Sequence, residues 1–324
     1  MIAFIDETYM SREEQRSGFH ESVLLEATVR ALQPAPGKIF FDGTVGGAGH
    51  AFALLEKGAS LVACDQDPDA IAEASHRLSR YRERVRLLQV NFADALVEFR
   101  RLGIEAFHGV LLDLGVSSHQ IDTPTRGFSF QADGPLDMRM NPASRRTAAD
   151  CVNQASEEQL ARIFFEYGEE PAARRIAAHL VRERARRPFR RTQELAQAVE
   201  AIVPRRGSRH PATRVFQALR IAVNNELTVL EQALPGLSRR ITPGGRMAVI
   251  TFHSLEDRIV KHYFREVSRE WIDRPEWPER RRNPKYAFRL ITARPVEPSQ
   301  EEVARNPRAR SAKLRVIERN SNES

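Results

Sequence analysis

The chain has 324 residues, 41% of them hydrophobic, with 50 lysines plus arginines against 43 acids and a net charge of +7. That is enough apolar content for one large core or two ordinary ones, which excludes a disordered or fibrous protein. Two cysteines, Cys64 and Cys151, stand far apart without metal-ligand spacing, so no disulfide framework, zinc site or other metal is indicated.

The elements follow in chain order. Residues 38–42 read as a short apolar strand, 49–56 as a helix, 60–65 as a second strand and 68–80 as a second helix, which is βαβ spacing. Residues 85–90 and 110–113 are nearly all apolar, as strands buried on both faces of a parallel sheet should be. From 127 to 214 no such strand occurs; 156–167, 171–186 and 192–202 carry helical periodicity and start signals instead. A long amphipathic helix is expected at 215–234, a turn at Gly244-Gly245 and a buried strand at 246–252. Residues 287–292 and 312–319 suit an antiparallel pair at the sheet edge, and 273–285, with Arg280-Arg281-Arg282, an exposed loop. The expected fold is α/β: a Rossmann-like, mostly parallel sheet from 1–126 and 215–324, interrupted by a helical domain at 127–214.

No apolar run reaches the roughly 18 residues needed to cross a bilayer, and Met1-Ile2-Ala3-Phe4-Ile5-Asp6-Glu7 lacks the basic-then-apolar order of a secretion signal. A cytoplasmic protein with no membrane contact is expected, and nothing points to an obligate protein partner. The positive charge is concentrated in one segment: residues 139–220 hold 17 arginines, no lysine and 9 acids, a net of +8, leaving −1 for the rest of the chain. Clustered cations of this kind suit a polyanion, and the inserted domain is the candidate recognition unit. A solvated surface is the blander alternative.

Phe41-Asp42-Gly43-Thr44-Val45-Gly46-Gly47-Ala48-Gly49-His50 follows a strand and precedes a helix, where glycines let a nucleotide-like ligand approach backbone N–H groups. After Gly47-Ala48-Gly49 the dinucleotide fingerprint requires a third glycine, but Phe52 stands there. S-adenosylmethionine, which has no pyrophosphate, fits better than NAD. Asp65 ends the second strand, where a carboxylate can accept both ribose hydroxyls. Asp67-Pro68 already supplies a helix cap, so Asp65 is redundant for capping. Phe92 can flank the adenine or belong to the core.

Leu112-Asp113-Leu114-Gly115-Val116-Ser117-Ser118-His119-Gln120, Arg126-Gly127-Phe128-Ser129-Phe130, Asp133-Gly134-Pro135-Leu136-Asp137-Met138-Arg139, Val223-Asn224-Asn225-Glu226 and Phe252-His253-Ser254-Leu255-Glu256-Asp257 form a set of motifs. Over residues 19–319 the chain resembles the ribosomal RNA small-subunit methyltransferase H family. The resemblance implies a class I methyltransferase that uses S-adenosyl-L-methionine to methylate a cytidine N4 amine in the decoding region of 16S ribosomal RNA, with the small ribosomal subunit as partner. Carried over by motif, the cofactor contacts are Ala48, Gly49, His50, Asp65, Phe92, Asp113 and Gln120, and Asp113 is also the catalytic candidate. Ala48 stands where the family commonly has glycine. His119 replaces its usual proline, which is expected to loosen the turn that aims Gln120.

N4 of cytosine is a poor nucleophile, so positioning is the main task. Asp113, at the end of the fourth strand, can orient either the methionyl ammonium or the target amine; the cofactor role is favoured. The chain has Asp113-Leu114-Gly115-Val116 where many N-directed DNA enzymes carry Asp/Asn-Pro-Pro-Tyr/Phe, so other residues must hold the base. Phe128 or Phe130 can stack on it or serve the core. His253-Ser254 can line the acceptor pocket; a hydrolytic pair is disfavoured because adjacent residues on an extended chain point apart. Two rival functions remain: a non-catalytic RNA-binding assembly factor, and a methyltransferase of protein or a small molecule.

Overall fold

A computed structural model describes residues 22–205, 207 and 210–321. Residues 1–7, read above against a secretion signal, lie outside them. Helix α1 (Leu25–Leu32) precedes an alternation of β1 (Ile39–Asp42), α2 (Gly49–Glu56), β2 (Ser60–Asp65), α3 (Pro68–Arg77), β3 (Val85–Gln89), α4 (Ala95–Arg101) and β4 (Phe107–Asp113). α3 starts where its signals say: Asp67 Oδ1 accepts the Asp69 N–H at 3.1 Å and Pro68 occupies the first turn.

After the short α5 (Ser118–Asp122) come five more helices, α6 (Ala148–Gln154), α7 (Glu157–Glu166), α8 (Ala173–Arg186), α9 (Thr192–Glu200) and α10 (Ala212–Asn224). Thr147 and Ser156 close reciprocal capping boxes at α6 and α7. Leu160, Phe164, Ile176, Leu180, Leu195, Val215 and Leu219 join Leu136 and Met138 in an apolar cluster separate from the sheet. The chain then runs through α11 (Glu226–Ser238), β5 (Ile241–Thr251), α12 (Ser254–Ser268), the hairpin β6 (Trp271–Ile272) and β7 (Arg281–Arg282), β8 (Phe288–Leu290), α13 (Gln300–Arg305) and β9 (Lys313–Arg319).

Three local expectations are corrected. The single helix expected at 215–234 is two, because Asn225 takes a left-handed conformation at φ 52°, which asparagine tolerates better than most residues. α10 packs in the helical cluster and α11 under the sheet. Gly244-Gly245 does not precede a strand; it lies within β5, where the register against β4 shifts between Phe107 and Gly109. The exposed segment 273–285 ends in β7, which pairs with β6.

The sheet runs β3-β2-β1-β4-β5-β9-β8, with β1 to β5 parallel and β9 antiparallel to both neighbours, as the sequence suggested for the edge pair. This is the class I methyltransferase fold. Neighbouring residues of β4 serve opposite faces: Leu111 joins the cluster under α1 to α3, whereas Val110 and Leu112 join the one under α4, α11 and α12. In the latter, Phe41 and Phe107 each meet Phe99 edge-on at 4.8 Å, and truncating any of these to alanine should cost about 3–5 kcal/mol. Because the chain winds outward through β2 and β3 before returning to β4, the sheet reverses direction between β1 and β4, the crevice where such sheets bind ligands. No helix among the described residues is long and apolar enough to cross a membrane.

Candidate active site

A cavity of about 1110 Å³ opens at that reversal. It exceeds the roughly 300–1,000 Å³ of an ordinary ligand pocket, so it has room for a nucleoside-sized cofactor and a second reactant. It is lined by residues 43–47, Asp65, Phe92, Asp113 and Gln120 and by Arg220, Asn224, Glu226, Phe252 and Glu256.

The loop after β1 is shaped for close backbone approach. A side chain at Gly43 would meet Leu112 Cδ2 at 2.5 Å and Phe92 Cβ at 2.9 Å. At Gly49, which opens α2, a Cβ would lie 2.0 Å from Ser22 Oγ. Ala48 is buried in a left-handed conformation at φ 60°, ψ 20°. Glycine's advantage there is therefore conformational, and alanine bears about 1 kcal/mol of backbone strain.

Asp65 is half-buried and holds two ends of the site together: Oδ2 accepts the Gly46 N–H and Oδ1 the Asp67 N–H, both at 3.0 Å. Each carboxylate oxygen retains a second lone pair, so two ribose hydroxyls can still be accepted. Burial raises its pKa to about 6 against these two hydrogen bonds. Asp42, at the end of β1, is raised to about 7 by burial. Phe92 packs against the apolar cluster beneath α4 and also lines the cavity.

Gln120 is buried and doubly engaged. Its Oε1 accepts the Ser117 N–H at 3.0 Å in a capping box, and its Nε2 donates to Asp67 Oδ2 at 2.7 Å. The loosened turn expected from His119 is not found: Ser117 aims Gln120, while His119 is exposed, 3.7 Å from Asp69. Sequence reasoning missed Arg126, whose Nη1 donates to the same Asp67 Oδ2 at 2.7 Å while Nη2 reaches the carbonyls of Arg139 and Met140. An aspartate read only as a helix cap gave no sign of this.

Asp113 ends β4, its N–H donating to Thr44 Oγ1 at 2.6 Å. His50 Nδ1 lies 3.5 Å from Oδ2, and burial lowers the His50 pKa to about 4, so this imidazole is neutral. Oδ1 is buried with no hydrogen-bond partner among the described residues. Burial first, then Asp42 and Glu256, push the Asp113 carboxyl well above its usual range.

Across the cavity, Arg220 forks onto Glu226 at 2.9 and 2.8 Å and lies 3.9 Å from Glu256 Oε1. Burial opposes ionisation of Glu256, but His253 and Arg220 hold its carboxyl below the ordinary value. Glu226, His253 and Glu256 place potential ligand atoms within 4.8 Å of one another, yet Arg220 already supplies positive charge to this cluster. Asn224 is structural: it accepts the Met140 N–H and donates to the Met138 and Arg220 carbonyls. Ser254 turns away from His253 to donate to Glu169 Oε2 at 2.6 Å, so no hydrolytic pair forms. Phe128 and Phe130 pack in the helical cluster, Phe130 edge-on to Phe216 at 4.8 Å, and neither lines the cavity.

Comparison with known proteins adds one consistent result. The MraW methylase family matches residues 17–320. The chain is 52% identical over 306 residues to the ribosomal RNA small subunit methyltransferase H of Syntrophotalea carbinolica, covering 93% of this chain and 98% of that protein. To the protein of the same name from Pelobacter propionicus it is 48% identical over 311 residues, 94% of this chain and 99% of the other.

Proposed function

The chain belongs to the MraW methylase family, and on that footing we propose that it uses S-adenosylmethionine to methylate N4 of a cytidine in the decoding region of 16S ribosomal RNA. The small ribosomal subunit is its partner and the cytoplasm its setting. The observation that carries this reading is the Asp113 carboxylate, which ends β4, keeps part of its side chain exposed and lines the one cavity that also holds the glycine loop and Asp65.

The residues present suit the cofactor. The loop residues 43–47 and Gly49 offer close backbone contact beside His50, with Ala48 buried beneath them, Asp65 retains lone pairs for ribose hydroxyls, Phe92 offers an apolar face and Gln120 lines the same cavity. When bound, S-adenosylmethionine supplies a methyl group on a positively charged sulfur.

The protein's task is then to aim the nucleophile. The lone pair of a cytosine amine is delocalised into the ring, so an acceptor that fixes one N–H directs the nitrogen and its neighbour supplies proton affinity as bonding proceeds. The Asp113 carboxylate is such an acceptor, and burial shifts it toward holding a proton of the kind that N4 sheds. The helical unit at 127–214 presents exposed arginines and is the RNA-gripping part of the reading.

The test is transfer from methyl-labelled S-adenosylmethionine to naked 16S RNA and to assembled small subunits, with nucleoside mass spectrometry of the product. N4-methylcytidine is expected. Label only in protein, or cofactor binding without transfer, would replace this reading with one of its rivals.

A further inference from the structure

Arg220, on α10, lines the cavity together with the glycine loop and Asp113. Its side chain is only 14% exposed, Nε and Nη2 are taken up by Glu226, and Nη1 donates to nothing among the described residues. Nη1 retains solvent contact, so this arm of an otherwise engaged guanidinium is open to a ligand in the cavity. Asp113, whose side chain is partly exposed, lines the same cavity and brings a carboxylate acceptor to it. Glu256 links them, 3.9 Å from Arg220 and close enough to Asp113 to raise its carboxyl.

A pyrimidine presents its Watson–Crick edge as three groups in a row. Cytosine offers an amine donor at N4 and acceptors at N3 and O2; uracil reverses the first two. A carboxylate facing position 4 and a guanidinium facing positions 2 and 3 satisfy cytosine and leave uracil's O4 against negative charge. Resting on the function proposed above, we propose that Arg220, held in place by Glu226 and Glu256, is the residue that reads the N3/O2 edge of the target base while Asp113 accepts from its amine. The pair would thus select cytosine and set the direction of N4 together.

The variant Arg220→Lys tests this, because lysine retains the charge near Glu226 but not the forked second arm. Its kcat/KM on unmodified RNA should fall about 10- to 100-fold, the range for losing a good base contact, with S-adenosylmethionine affinity unchanged. RNA carrying 2-thiocytidine or 3-deazacytidine at the target should slow the wild-type enzyme, and Arg220→Lys should lose nothing further on the analogue that does so. A purely structural arginine would leave the analogue effect equal in both proteins, and that result would overturn the proposal. Should Arg220→Lys not fold, the wild type alone decides: full rates on both analogues exclude an N3/O2 contact. Failure of the wild type on unmodified cytidine sinks the proposed function along with this inference, whereas wild-type activity with equal analogue effects sinks this inference alone.

Discussion

Arg126 and Asp67 form a 2.7 Å ion pair in which the carboxylate is 1% exposed and the guanidinium 11%. The same Asp67 oxygen receives Gln120, and the same guanidinium holds the Arg139 and Met140 carbonyls. One buried pair therefore ties the start of α3, the α5 turn and the entry to the helical unit. Removing one partner of such a pair leaves the other charge buried. Arg126→Met should destabilise the protein by about 3–5 kcal/mol. Urea denaturation measures this; a loss under 1 kcal/mol would mean water replaces the arginine.

Asp65→Ala should weaken S-adenosylmethionine binding by about 1–3 kcal/mol, the scale of lost charge-assisted hydrogen bonds. Calorimetry at several pH values adds a sign. The Asp65 pKa is raised to about 6, so the better acceptor, the carboxylate, appears as pH rises through 6, and wild-type affinity should rise there. Asp65→Asn should flatten that rise. In the free protein the sign is opposite: Asp42 and Asp65 take up protons on folding, so their contribution to stability is present below about pH 4 and is lost as pH rises through about 6 and 7. Flat thermal stability across this window would contradict the assigned burial.

Asp113→Asn keeps the shape of the strand end and removes the carboxylate. Transfer should drop at least about 100-fold, the low end for losing a general base, with folding little changed because Oδ1 makes no internal bond. Normal turnover would remove Asp113 from the mechanism.

Arg186, Arg187 and Arg190 are exposed, the first two sharing salt bridges with Glu183 and Glu194. Replacing all three with glutamine should flatten the salt dependence of RNA affinity by a slope of up to about 2.7, roughly 0.9 per phosphate contact. Cofactor affinity should stay as it is. Arg191 is left out because it is bound to Asp133. An unchanged slope would make these arginines a solvated face.

Both cysteines are buried, and burial pushes both thiols up, Cys64 further through Asp65 and Asp42. Neither can act as the thiolate that carbon-5 methylation of a pyrimidine requires. The Cys64→Ser, Cys151→Ser double variant should still methylate RNA, and the product should contain no 5-methylcytidine by mass spectrometry.

The strands were legible because residues 60–65 and 110–113 are apolar enough to demand burial on both faces, and helix starts because Asp67 and Ser156 cap in standard ways, whereas α6 after Thr147 was not expected. The break at Asn225 was hidden, since the apolar spacing on its two sides continues and only the left-handed φ interrupts it. Charge was the least legible property. Arg184 and Arg220 count in the basic segment, yet one is spent on the Val152 and Ala155 carbonyls and the other on buried glutamates. Composition cannot separate an arginine that meets a phosphate from one that closes a helix end, because the distinction lies in partners up to tens of residues away.

Asn224 receives the Met140 N–H and gives its amide protons to the Met138 and Arg220 carbonyls, so the chain leaving the sheet is sewn to the chain returning to it. Fastening at both ends in this way opposes any swing of the unit as a separate lobe. It holds its outward arginines at a set offset from Asp113, and in a protein that grips RNA through them the offset works as a ruler. Selection of one cytidine among many would then be partly metric: the nucleotide that reaches the pocket is the one at the right distance from the phosphates being held.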